Sequence, residues 1–173
     1  MTGGSGRLVE LLDGLAPELK SRVFTHSSWT DSRGEAYERL AFLGDSVLGI
    51  VVAEQLLNAS PDATAGDLTK VRAQAASRAA CARVAAGMNI AERLAENAPT
   101  SAELPIEDVI SAQSVLAEVC EAVIGAIFVQ HGYEVTAQAV AAAFADEITN
   151  AEDNPGDYKS SLQEFLARRG DKP

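Results

Sequence analysis

Positive charge is what this chain has least of. Its 173 residues carry 14 Lys and Arg against 25 Asp and Glu, a formal net charge of −11. A field of that sign argues against nonspecific nucleic-acid binding driven by overall attraction. Cysteine is nearly absent. Cys81 and Cys120 are the two present, both inside apolar helical patterns, and read as small buried core residues of a reducing compartment. Aromatics make up 5% of the chain, and no stretch alternates clearly enough to form a strand. Residues 1–6 lack the charged-then-apolar layout of a secretory signal. The longest apolar runs, such as Val47 to Ala53, are too short to span a bilayer. These absences lead to the expectation of a cytoplasmic protein with no membrane partner. No Ser/His/Asp or Cys/His arrangement offers a protein nucleophile.

What is present is alanine and apolar periodicity: 47% of the residues are hydrophobic and 23% charged, as in a soluble globular protein. We expect an all-α fold with one domain over residues 1–150. Leu8, Leu11, Leu12 and Leu15 share a helical face, and Pro17 suits the start of a helix reaching Thr25. A long helix runs from the late thirties to about Asn58, stopped by Pro61. Thr64 or Asp67 would cap the next, Leu68 to Gly87, which carries Lys70, Arg72, Arg78 and Arg83. These four cations read either as a solvated face or as a functional basic set. A short apolar turn at Ile90–Leu94 and an irregular linker over 95–104 follow. A second long helix covers about Ile106–Gln130, with Leu116, Val119, Val123 and Ile127 buried and Gly132 ending it. Another spans Tyr133–Ile148. Residues 150–156 read as a linker.

The stretch from Tyr37 to Gly49 departs from an ordinary core helix. Leu40, Leu43, Val47, Ile50 and Val51 form one face, while Glu38 and Asp45, two turns apart, share another. Gly44 costs about 1 kcal/mol against Ala and signals a close approach to the backbone. Phe42 has the placement of an exposed aromatic. The string resembles the signature helix of the ribonuclease III family, E-R-L-E-F-L-G-D-S-V-L, with Ala41 the single departure. Three further stretches carry the same resemblance. Thr25-His26-Ser27-Ser28 is similar to the T-H-x-S element, and Gly66 to Ala73 to G-D-L-x-x-x-R-A. Glu118 to Ala126 is similar to D-A-x-E-A-x-I-G-A. The likeness covers nearly all of residues 7–169.

The resemblance implies a metal-dependent endoribonuclease that cleaves double-stranded RNA in rRNA and mRNA processing. Products would be 5′-phosphate and 3′-hydroxyl ends with short 3′ overhangs. Glu118 and Glu121 lie three apart on one helix face and, with Asp45 from the other helix, could converge into an oxygen-rich cluster. Such a cluster suits Mg²⁺, with Mn²⁺ as a substitute, and the bound cation reverses the unfavourable local sign. Asp45 and Glu121 are the expected catalytic pair, and Glu118 a further metal ligand. Glu38 is auxiliary, acting near the metal or positioning Arg39. His26 reads as a loop-fixing residue or a general base.

The family usually has Glu at position 41, Asp at 118 and often an acid at 65, where this chain has Ala41, Glu118 and Ala65. Mini-ribonuclease III relatives also carry alanine in the L-A-x-L-G-D form. By the same resemblance, Phe42 and Gly44 belong to a homodimer interface, Phe42 entering a cavity of the partner. Residues 151–173 would be a linker and the first helix of an otherwise absent double-stranded-RNA-binding domain. Within it, Gln163 and Glu164 match weak RNA contacts. Two alternatives stand beside this reading: a catalytically impaired relative that binds structured RNA, and a helical protein-interaction dimer.

Overall fold

A computed structural model describes residues 4–32, 34–100 and 105–154. Gln163 and Glu164, with the rest of the expected last helix, lie outside the described residues. Every described regular element is a helix, as expected of an all-α chain. Helix α1 is Gly6–Asp13, α2 Pro17–Val23, α3 Glu38–Ala59, α4 Ala65–Ala75 and α5 Arg78–Gly87. After these come α6 Ile90–Asn97, α7 Ile106–Ser111, α8 Gln113–Ala143 and α9 Ala145–Asp153.

The centre of the molecule is the crossing of α3 and α8, and two glycines make it possible. A Cβ at Gly44 would overlap the Glu121 carbonyl, and one at Gly125 would overlap the Leu40 carbonyl. The helices therefore meet backbone to backbone. Val47, Leu48, Val51 and Val52 of α3 are buried beside Ala122, Val123, Ile124 and Ile127 of α8. Fully burying such side chains stabilises by about 1.5–3 kcal/mol each. By length and composition alone α3 and α8 could cross a membrane, which short apolar runs did not suggest. In this fold their apolar windows are 44% and 50% buried inside the protein.

Several expected boundaries move, each for a local reason. The single helix expected over Leu68–Gly87 is two, because Ser77 caps α5 by accepting the Ala80 N–H at 3.3 Å. Thr64 caps α4 in the same way through Asp67 N–H. The turn expected at Ile90–Leu94 is the helix α6, which starts after Asn89 in the left-handed region and buries Ile90 and Leu94. Ala112 separates α7 from α8, so the second long helix starts later than Ile106. Gly132, at φ 76° and ψ −175°, breaks the helical path within α8 where an end was expected. Residues 150–153, expected as linker, continue α9. Ala151 is buried there, and Gln74 Nε2 donates to the Asn154 carbonyl at 2.9 Å.

Long-range polar contacts hold the outer helices. Arg83 donates twice to Glu147, at 2.8 and 2.6 Å, joining α5 to α9. Arg93 joins α6 to Asp13 at 2.6 Å. Gln130 takes the Ala16 N–H and donates to the Gly14 carbonyl, pinning the α1–α2 turn to α8. Tyr133 donates to Glu54 across α8 and α3 at 2.6 Å.

Candidate active site

Because the crossing point contains Glu121 itself, the acids of both helices arrive together. Asp45 follows Gly44, and Glu121 supplies the carbonyl that Gly44 accommodates. Burial, then the charges of Asp45 and Glu118, push the Glu121 carboxyl up to about 7, against the opposing pull of Arg78 and a hydrogen bond from Cys81. Three carboxylates thus share one field. They are not closed into a cage: among the described residues no three Asp, Glu, His or Cys side chains stand at ligand spacing. The expected convergence is electrostatic rather than chelating. An oxygen-only donor set under mutual repulsion still fits a hard divalent cation that keeps several of its waters.

Glu118 links this cluster to a second group. Tyr37, buried just before α3, neighbours Glu118, and its hydroxyl is pushed well above the usual phenol range by burial and by the Glu118 carboxylate. Glu38 is exposed, and its charge acts on Tyr37 and His26. No ion pair joins it to Arg39 among the described residues. His26 caps a one-turn 3₁₀ helix, Ser27–Trp29, with Nδ1 accepting the Ser28 N–H at 3.2 Å. Its ring packs against Trp29 and Tyr37. Burial lowers its basicity, partly offset by Glu118 and Glu38. These contacts are those of a residue fixing its loop.

A groove of about 570 Å³ opens beside Asp45, lined by Ser46, Gly49, Ile50, Arg72 and Ala76. It resolves the four cations of α4 and α5. Lys70 pairs with Asp67 and Arg83 with Glu147, whereas Arg72 faces the groove and Arg78 acts on Glu121. Ile50, expected in the core, is 56% exposed because it lies on the groove side of α3, away from the buried Val51 and Val52. Phe42 is 80% exposed, as expected. Gly44, expected at the same interface, is buried and serves a contact within the subunit, against the Glu121 backbone of α8.

A family model described as Ribonuclease-III-like matches residues 16–148. The chain belongs to the ribonuclease III family. It is 36% identical over 159 residues to Ribonuclease 3 of Rhodopseudomonas palustris, covering 89% of this chain and 56% of that protein. It is 40% identical over 151 residues to Ribonuclease 3 of Corynebacterium efficiens, covering 85% and 60%. The chain thus spans only between half and two thirds of the length of these relatives. Among solved structures, the nuclease domain of ribonuclease III from Campylobacter jejuni superposes with a TM-score of 0.69 at 28% identity. That match covers 82% of this chain and 96% of the other, a structure concerned with a region involved in dimer formation.

Tyr37 and Cys81 are the site residues that sequence reasoning missed. Tyr37 stood inside the signature string without a role, and its burial next to a position-118 acid was the missing signal. Nothing local marks Cys81.

Proposed function

We propose that this chain is a catalytic module that hydrolyses phosphodiesters in double-stranded RNA with Mg²⁺, Mn²⁺ serving as a substitute. The observation that carries the reading is the coupling of Asp45 and Glu118 to Glu121 across the glycine crossing, on the motifs that define the family. Asp45, Glu118 and Glu121 would hold the cation, which when bound supplies an activated water and offsets the charge developing on the phosphate. The protein's own part is positional. Tyr37 restrains Glu118, the crossing fixes the height of Asp45 against Glu121, and Arg72 offers the groove a cation for an RNA phosphate. Recognition by shape and 2′-hydroxyls suits a site with few base-reading side chains.

The active form would be a homodimer. Phe42 projects from α3, and a hollow of about 430 Å³, walled by Leu19, Ala36, Leu40 and Val129 and rimmed by Arg22, Glu35 and Arg39, could receive the Phe42 of a second copy. Two-fold symmetry then supplies two acid clusters and one cut on each strand. The products would be 5′-phosphate and 3′-hydroxyl ends with short 3′ overhangs, and the cellular role rRNA and mRNA processing in the cytoplasm. We assign the described residues up to Asn154, at the end of α9 where Gln74 holds the chain, to the catalytic unit.

The test is incubation of end-labelled double-stranded RNA with the chain at low salt in Mg²⁺ and in Mn²⁺. Cleavage of both strands with 5′-phosphate ends is expected. RNA binding that needs no metal, with no cleavage in either, would replace this reading by an impaired family member, the alternative that Ala41, Glu118 and Ala65 favour.

A further inference from the structure

On the buried side of Glu121, two thiols lie against each other. Cys81 comes from α5 and Cys120 from α8, and both have no exposed surface. Neither is in a disulfide. Cys81 Sγ lies 3.9 Å from Glu121 Oε1 and 4.0 Å from the Ala76 carbonyl oxygen. Cys120 neighbours Cys81, and that contact together with burial pushes its thiol up.

A thiol has one proton to give. Cys81 has a charged and a neutral acceptor within reach, and the charge-assisted bond is the stronger. Its proton therefore goes to Glu121, and its sulfur accepts from Cys120. The result is a chain, Cys120 to Cys81 to Glu121, that reaches the carboxylate from inside the protein. Arg78 also favours the Glu121 charge, but from an exposed position. The hydrogen bond from Cys81 is the one that the described residues donate to this carboxylate.

We propose that Cys81 is a positioning residue for Glu121. Its S–H ties Oε1 on the buried side and so selects one orientation of a side chain that otherwise rotates about three bonds. The second oxygen is left for the cation. This rests on the metal-dependent reading above. It also gives the break between α4 and α5 a purpose. The Ser77 cap restarts the helix so that Cys81, one turn later, lies under the crossing.

The test is Mn²⁺ binding to the full chain without RNA, followed by the loss of the free-ion electron paramagnetic resonance signal, with melting curves and RNA cleavage in parallel. Cys81→Ser keeps a one-proton donor and is expected to retain Mn²⁺ affinity within about twofold. Cys81→Ala removes the donor and is expected to weaken affinity by about threefold to tenfold. This is below the usual loss for an outer partner of a metal ligand, because a thiol donates weakly. Extra metal should restore its turnover. If Cys81→Ala does not fold, Cys81→Val, which fills the space without a donor, is expected to show the same loss. Equal shifts in the Ser and Ala variants, or none in either, overturn the proposal by reducing Cys81 to packing. A wild type that binds Mn²⁺ but leaves RNA intact defeats the proposed reaction alone, and the order of the affinities still decides the role of Cys81. A wild type that binds no Mn²⁺ defeats both.

Discussion

Gly44 and Gly49 sit five residues apart in the same helix, with opposite surroundings. At Gly44 a Cβ would strike the Glu121 backbone; at Gly49 it would meet nothing within 4 Å. The contrast extends to the neighbouring side chains. On the face of Gly44, Ala41, Val47, Leu48 and Val51 are buried, whereas on the face of Gly49, Ile50 and Leu57 are 56% and 65% exposed. The Gly44 face of α3 is spent on holding Asp45 against α8. The face that carries Gly49 and Ile50 borders an open groove and offers surface. Glycine therefore serves contact in one place and leaves space in the other, and only the partner helix tells them apart.

Breaking the inner face should have the largest effect. Gly44→Ala is expected to cost about 3 kcal/mol, the upper end for overpacking, because the new methyl meets backbone rather than a movable side chain. Urea unfolding measures it, and a cost under about 1 kcal/mol would mean that the crossing yields easily. On the outward face, Phe42→Asp should weaken self-association at least about 100-fold, equivalent to about 2.7 kcal/mol. Sedimentation equilibrium would reveal it, and an unchanged dimer would move the interface away from Phe42.

The third effect concerns pH. Burial and the charges of Asp45 and Glu118 push the Glu121 carboxyl up to about 7, above its ordinary range near 4.3. Between these values the native state holds a proton that the unfolded chain has lost. The favourable contribution is complete below the ordinary value and disappears as pH rises through 7. Compared at pH 5 and pH 8 without metal, wild type should lose more stability than Glu121→Gln. The excess is on the order of 1–2 kcal/mol after allowing for solvent screening of a half-exposed group. Equal losses would remove the shared field from the account. The smallest effect sharpens the comparison from the other side. Gly49→Ala should stabilise by about 0.5–1 kcal/mol, since the helix gains propensity and the methyl has room.

Much of this was legible in the residues. The helical class, the acids Asp45, Glu118 and Glu121, the exposed Phe42 and the close approach at Gly44 follow from spacing and from the family string. The direction of that approach did not. A glycine in a helix announces a near backbone without saying whether it belongs to the same subunit, and here it is α8. The divided α4 and α5 were written in Ser77, a capping residue placed among strong helix formers that concealed it. Ile50 was assigned to the core because its apolar character did not separate it from the buried Val47, Val51 and Val52. Cys81 was beyond reach, since its meaning comes from a residue 40 positions away.

The most direct test of the central claim compares wild type with Asp45→Asn/Glu121→Gln on one long double-stranded RNA in Mg²⁺, both proteins first verified as folded dimers. If the coupled carboxylates perform the chemistry, wild type cuts both strands, while the double variant falls by at least about 100-fold, at the level of a lost principal transition-state contribution. Equal cleavage by the two proteins would contradict the account and move the reaction away from the crossing of α3 and α8.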